Sequence, residues 1–194
     1  MKVAFIREME NKRIRIGIGD GEDIKRYSVS PATLGATGLV RGSEVSGEDL
    51  YLIEADDGAY RCMRRALSLL SYGDNTRSAL FMKLLRAGFS RSVAEECIEE
   101  CLRLGYIDER RQIERAVLNE ANRSLRGKAY IVRKLASKGY SASEVGEITD
   151  ELVSAGEIDF GENFERLCEK KGALSQEARR ALLYKYGYRS ADFD

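Results

Sequence analysis

The feature that most constrains the fold is a helix-like segment that occurs twice, 51 residues apart. Residues 80–90 (LFMKLLRAGFS) align with 131–141 (IVRKLASKGYS), so that most apolar residues fall on apolar residues and Gly88 falls on Gly139. A weaker third copy follows at 183–188. Repeats of this length are typical of arrays of small helical units, in which neighbouring units bury one another's apolar faces. The sequence therefore predicts tandem helical units over most of the chain.

Within the copies, apolar residues recur at helical spacing, and the two closest cysteines follow that pattern. Cys97 and Cys101 lie four residues apart, on one helix face, and align with Ile148 and Leu152 of the second copy. A soft-metal site is conceivable for such a pair, but the alignment favours two small apolar core positions. No CxxC pair occurs, so neither a zinc ribbon nor a dithiol motif is expected.

The ends of the helices are marked by capping residues. Asp108 and Asp159 are predicted N-caps at the junctions between units. Two pairs, Ser92 with Glu95 and Ser141 with Glu144, have the Ser-x-x-Glu spacing of a capping box. Three glycines in corresponding positions are expected to end helices in a left-handed conformation: Gly88, Gly139 and Gly187.

The chain has a different character before residue 58. Residues 13–18 alternate in the manner of a β-strand, and the glycines around 17–21 predict a hairpin turn rather than a phosphate-binding loop, because no helix follows them directly. Ser30 and Pro31 predict the start of a brief helix. We therefore expect a small β-rich N-terminal domain at residues 1–57.

The predicted fold class is mainly α, with tandem three-helix repeats in an elongated, curved array behind that β-rich domain. The helical domain is expected at 58–194 and to contain three three-helix repeats, at about 60–108, 109–159 and 160–194.

Composition excludes several classes of function. The chain has no His, which removes the Ser-His-Asp triad and most catalytic zinc sites. Lys plus Arg equals Asp plus Glu, 32 each, so the net charge points to no particular partner. No apolar run approaches a membrane span, and the first residues lack the apolar stretch of a secretory signal. We expect a cytoplasmic, non-enzymatic protein with no cofactor, no metal, no small-molecule substrate and no membrane partner.

An ordered series of short motifs resembles the RecX family. It begins with ALSLLS at 66–71 and SALFMKL at 78–84, and continues with LGYIDE at 104–109. GKAYI at 127–131 and LASKGY at 135–140 complete it. The similarity covers roughly residues 60–194, and the preceding β-rich segment resembles the N-terminal extension of longer family members.

This resemblance implies a regulatory protein that binds RecA recombinase filaments on single-stranded DNA and modulates RecA in recombination, DNA repair and the SOS response. Weak direct contact with DNA is a possible addition. One departure concerns the Arg-x-Arg-Ser stretch of many members, of which this chain retains only Arg77 and Ser78. A partner contact made by the missing arginine would be weakened or differently arranged here.

Basic side chains of the middle unit are the predicted contact surface, because Arg pairs with carboxylates and phosphates in a bidentate geometry. The alternative is an ordinary solvated helix face. These candidates are Arg123, Arg126, Lys128, Arg133, Lys134 and Lys138, with Arg77 and Lys83 as counterparts in the first unit.

Two other functions stay open at this point. Short helices joined by glycine turns can resemble helix-turn-helix units, which would make the chain a DNA-binding transcriptional regulator. No helix is rich in Arg, Asn and Gln as a recognition helix would be. A generic helical scaffold for protein partners is the other alternative.

Overall fold

The computed structural model describes residues 1–21 and 23–189, and over these residues the chain is mainly α, as predicted. A three-stranded antiparallel sheet comes first and α-helices follow it. The strands are β1 Lys2–Glu8, β2 Ile14–Asp20 and β3 Asp23–Val29. The helices are α1 Pro31–Thr37, α2 Gly47–Ser71, α3 Arg77–Arg86, α4 Arg91–Arg103, α5 Glu109–Leu118, α6 Lys128–Ser137, α7 Ala142–Ser154, α8 Phe160–Lys171 and α9 Gln176–Tyr186. None of these helices is both long and apolar enough to cross a membrane.

The chain divides into two compact units. Unit 1 comprises Met1–Gly73 with Leu80–Arg103, and unit 2 comprises Asp74–Ala79 with the chain from Leu104 onward. Helix α3 therefore begins in unit 2 and continues in unit 1. The division into residues 1–57 and 58–194 stays a prediction, and helix α2 runs without a break through residue 57.

In unit 1, the sheet has the order β1-β2-β3, and one of its faces is covered by apolar packing. Ile16 and Ile18 are buried on that face, as the alternating pattern of β2 predicts, and Val29 of β3 is buried beside them. Ile53 of helix α2 belongs to the same core. One face of the sheet is therefore buried in the apolar core of unit 1, and the other face is open to solvent.

The first two helices after the sheet, α1 and α2, each begin at a serine cap. Ser30 accepts a hydrogen bond from the backbone N–H of Thr33, and Pro31 occupies the first helical position, which confirms the predicted start of α1. Ser46 and Asp49 form a capping box at the start of α2.

The carboxylate of Asp56 connects α2 to the end of the sheet. It accepts hydrogen bonds from the guanidinium of Arg13, the backbone N–H of Ser30 and the hydroxyl of Thr33, each at 2.6 Å. Burial alone would raise the pKa of Asp56, but these hydrogen bonds outweigh it and lower the pKa below its ordinary value of 3.8. The ionised form is therefore the one that the folded chain stabilises.

This lowered pKa predicts an acid-sensitive fold. A depressed carboxyl pKa contributes stability that is present above the unfolded-state value and lost as the pH falls through the folded-state value. Below about pH 4, the melting temperature should fall more steeply for the wild-type chain than for Asp56→Asn, measured by circular dichroism. Parallel pH profiles for the two proteins would contradict the assignment.

The remaining core of unit 1 contains the sulfur atoms of three cysteines. Cys62 of α2 and Cys97 and Cys101 of α4 are buried, which confirms the predicted core positions of the α4 pair. Burial, with the neighbouring thiols, raises the pKa of Cys97 and of Cys101 to about 12. These thiols stay protonated at neutral pH, as expected of core residues.

One capping prediction was wrong in unit 1. Helix α4 begins at Arg91, and the hydroxyl of Ser90 accepts from the backbone N–H of Val93. Ser92 lies inside the first turn of the helix and does not cap it. The two serines stand two residues apart, so the sequence pattern alone did not distinguish them.

In unit 2, helices α5, α6 and α7 correspond to the second sequence copy, with a π-helical turn at Asn119–Arg123 after α5. Ile148 and Leu152 are buried, as are the residues that align with them. The predicted caps at Asp108, Ser141 and Asp159 are present. Gly88, Gly139 and Gly187 all have the positive φ that was expected of them.

The third copy contributes helices α8 and α9 to the described residues. Residues 190–194 of the predicted third repeat lie outside the described part, so its expected three helices stay a prediction. Tyr188 is buried, with its ring edge-on to those of Phe160 and Phe164 at centroid distances of 6.1 and 5.1 Å. The end of α9 is thereby held in the core of unit 2.

The start of α6 lies directly against the end of α9. The backbone N–H of Gly127 donates to the carbonyl of Tyr186 at 3.0 Å, and that of Ala129 donates to the carbonyl of Gly187 at 3.1 Å. A Cβ atom on Gly127 would lie 2.4 Å from the Gly187 carbonyl oxygen, and one on Gly187 would lie 2.4 Å from the Tyr130 Cβ. Only glycine permits this approach of two backbones.

Candidate partner-binding surface

The eight predicted contact residues are divided between the two units. Lys83 lies on the part of α3 that belongs to unit 1 and is exposed. The other seven lie in unit 2. The contacts of these side chains distinguish two groups: cations that interact with other residues of the fold, and cations that face solvent.

Three of the predicted cations surround the ring of Tyr130. The Arg126 guanidinium lies 4.4 Å from the ring centroid, the Lys134 ammonium 5.7 Å and the Arg133 guanidinium 5.9 Å. Tyr130 is on α6, and Arg133 and Lys134 follow it by three and four residues, so helical spacing brings them to one side.

Arg126 is held between two aromatic rings. Its guanidinium lies 4.4 Å from the centroid of Tyr186 as well as from that of Tyr130, and the residue is half-buried. A guanidinium stacked in this way stabilises the contact between the start of α6 and the end of α9. Arg126 therefore has a structural role that a solvated contact residue would not have.

Lys134 neutralises a buried carboxylate. Its ammonium donates to Glu120 Oε1 at 2.6 Å, and the Glu120 side chain is only 11% exposed. Removal of the lysine would leave this carboxylate buried without its counter-charge, which is costly. Lys134, like Arg126, is thus committed to the fold.

Lys128 and Arg133 line a cleft of about 550 Å³ beside α6 and α7, which we call the α6–α7 cleft. Its lining is apolar at Val132, Val153 and Phe160. Lys128 donates to Asp150 at 2.5 Å across the cleft. Arg189 is the third cationic residue of the cleft, beside Lys128 and Arg133, and Asp150 is its carboxylate. Such a cleft suits an apolar side chain with negative charge beside it.

Arg77 lies at a second, shallower cleft of about 440 Å³, together with Glu109 and Glu144. Its backbone N–H donates to the Glu109 carboxylate at 2.7 Å. Tyr140 also lines this cleft, and burial and the charge of Asp74 raise the pKa of its hydroxyl. The carboxylates beside Arg77 make this cleft a weaker site for an acidic partner.

Arg123, Arg133 and Lys138 are exposed, and none of them forms an ion pair among the described residues. Arg123 ends the π-helical turn, and Lys138 is the C-cap of α6. These three are the cations of unit 2, among the predicted seven, whose charge is most available to a partner.

Sequence reasoning missed the residues that hold the predicted cations in place. Tyr130 and the cations three and four positions after it were visible as a helical pattern. Tyr186, Glu120 and Asp150 were not, because they come from other elements of the unit. Within the described residues, no group of three or more acidic or cysteine side chains is arranged to hold a metal ion.

Comparison with known proteins gives consistent matches. The family model of the RecX first three-helix domain matches residues 62–101. The regulatory protein RecX of Bacillus cytotoxicus is 26% identical over 165 residues, which cover 85% of this chain and 60% of that protein. RecX of Lactobacillus gasseri is 24% identical over 135 residues, covering 70% of this chain and 50% of the relative. RecX of Pelodictyon phaeoclathratiforme is 29% identical over 126 residues, covering 65% and 75%.

Two solved structures share the fold. The crystal structure of a regulatory protein RecX matches with a TM-score of 0.74 and 20% identity, covering 99% of this chain and 96% of that one. RecX from Lactobacillus salivarius matches with a TM-score of 0.59 and 20% identity, over 70% of this chain and 92% of that one. The chain spans 50 to 60% of the length of the first three curated relatives.

Proposed function

We propose that this chain is a RecX-family protein that binds RecA filaments on single-stranded DNA and restrains RecA activity in recombination and DNA repair. It acts by binding and catalyses no reaction. The observation that carries the proposal is the sequence match to RecX regulatory proteins, which reaches over as much as 85% of the chain.

The partner-binding residues that we propose are the exposed cations of α6 and its flanks, together with the α6–α7 cleft. Arg133 and Lys138 are exposed and form no ion pair with any residue that the structure describes, and the cleft beside Arg133 has an apolar lining. Repeated carboxylates on a protein polymer would meet such a surface at many equivalent positions. Charge pairing of this kind sets the rate of association and the choice of partner.

The test is the single-strand-dependent ATPase of a bacterial RecA, with the purified chain titrated in. We expect inhibition at well below one molecule per RecA, since binding along or at the end of a filament affects many subunits. Absence of inhibition at equimolar amounts of folded protein would contradict the proposed function.

The variant Arg133→Glu/Lys138→Glu tests the surface. Within residues 1–21 and 23–189, neither side chain supports the fold through an ion pair. The reversal should therefore raise the half-inhibitory concentration at least about tenfold with an unchanged circular dichroism spectrum. The matched control is Lys171→Glu/Arg180→Glu, which makes the same change of charge at exposed positions of α8 and α9. Equal effects of the two variants would show a general response to net charge and would remove this surface from the proposal.

A further inference from the structure

The open face of the N-terminal sheet combines an aromatic ring with arginines that form no ion pair among the described residues. In β1 and β2, Phe5 lies opposite Gly17 and Arg7 lies opposite Arg15; in β3, Arg26 is the other neighbour of Gly17. Directly paired residues point to the same side of a sheet, and so do residues two apart along a strand. All five therefore belong to one face, opposite the face that carries Ile16 and Ile18.

Gly17 explains how Phe5 is held. A Cβ atom on Gly17 would lie 2.3 Å from Phe5 Cε1, so the ring occupies the space above the glycine. Phe5 is half-buried, and the Arg7 guanidinium lies 5.6 Å from its centroid. An aromatic ring packed over a strand glycine is a known way to stabilise a sheet, and here it places a π-surface in the middle of the face.

The charges on this face are of one sign. Arg7, Arg15 and Arg26 are exposed, and none of them forms an ion pair among the described residues. Lys2 is on the same face but lies 3.9 Å from Glu44. The strand residues of this face include no Asp or Glu among those described.

This arrangement is unfavourable for the free protein. Like charges directly opposite one another on paired strands destabilise a sheet, and Arg7 and Arg15 are such a pair. A polyanion would relieve the repulsion, and arginines pair with phosphates in a bidentate geometry. The ring of Phe5 adds a surface on which an unpaired base can stack.

We propose that this face of the sheet binds single-stranded nucleic acid, with Arg7, Arg15 and Arg26 on phosphates and Phe5 against a base. Sheets that carry aromatic residues bind single strands in this way in other folds. The face lies within unit 1, and the proposal does not rest on the proposed function, because it concerns binding without RecA.

The test is fluorescence anisotropy of a labelled oligothymidylate of about 20 nucleotides, with the full chain and no RecA. At about 50 mM salt we expect a dissociation constant on the order of 10 µM, with a salt slope of about −2 if three phosphates are neutralised. Arg15→Glu/Arg26→Glu should weaken binding at least tenfold and reduce the slope. Phe5→Leu, which keeps an apolar cover over Gly17, should weaken binding roughly fivefold and leave the slope unchanged.

The matched control is Arg64→Glu/Arg65→Glu, which reverses two exposed arginines of α2 in the same unit. It should change the affinity less than twofold. Lack of binding by the wild-type chain, or an equal loss in both reversal variants, would overturn the proposal. If the glutamate variant does not fold, Arg15→Gln/Arg26→Gln replaces it as the test. Weaker binding by this neutral variant supports the proposal, and wild-type affinity overturns it.

Discussion

Replacement of Gly187 by alanine is expected to lower the free energy of unfolding by about 3 kcal/mol. Two costs combine at this position. The residue has a φ of +81°, which an L side chain adopts only with strain. Its new Cβ would also lie 2.4 Å from the Cβ of Tyr130, so that α6 and α9 must separate. The measurement is urea-induced unfolding followed by circular dichroism.

Two comparison variants separate these costs. Gly156→Ala adds a side chain at a φ of +75° with nothing within 4 Å, and should cost only about 1 kcal/mol. Gly127→Ala adds one at an ordinary φ of −76° against the Gly187 carbonyl, and should cost about 2 kcal/mol. If Gly187→Ala is no worse than Gly156→Ala, the close contact between α6 and α9 does not contribute to stability.

The second large effect is expected at Asp56, where alanine should lower the free energy of unfolding by about 3 kcal/mol. The substitution removes the acceptor for Arg13, Ser30 and Thr33 and leaves a guanidinium with a side chain only 17% exposed without its counter-charge. Arg13 directly precedes β2, Ser30 follows β3 and Thr33 lies in α1, whereas Asp56 is on α2. The loss of these hydrogen bonds should therefore weaken the attachment of the sheet and α1 to α2. Thermal and urea unfolding both measure it.

Asp49→Ala is the control on the same helix. It removes the N3 residue of a capping box and should cost about 1 kcal/mol, since Ser46 still caps the helix. Asp56→Asn retains one carbonyl oxygen and should fall between the two. An Asp56→Ala variant as stable as Asp49→Ala would show that the hydrogen bonds of Asp56 contribute little.

The sequence predicts part of the proposed surface in unit 2, the cations of α6 and its flanks, but not the proposed surface in unit 1, the open face of the sheet. Among the middle-unit cations, the sequence identified Arg133 and Lys138, which the structure leaves exposed. It also included Arg126 and Lys134, which the structure uses to hold Tyr186 and Glu120. A run of basic residues does not by itself separate the two groups, because each partner comes from a distant part of the sequence.

The open face of the sheet was not apparent from sequence at all. Phe5, Arg15 and Arg26 come from three strands, and only the strand register places them on one face. The β1 register shifts between Val3 and Phe5, and such a shift reverses which side chains point outward. Composition gave no hint either, because residues 1–59 carry more acidic than basic side chains.

What the sequence determined by itself was the repeated helical pattern, the caps at Asp108, Ser141 and Asp159, the glycines that follow the helices, and the core positions of Cys97 and Cys101. These depend on residues one to four positions apart or on a regular repeat, so local chemistry and periodicity are sufficient. Only the tertiary structure decided that α2 runs without a break for 25 residues, that Gly127 meets Gly187, and which cations are paired. Those outcomes depend on packing between segments far apart in the chain, where the free energy is set by shape and burial that no local pattern records.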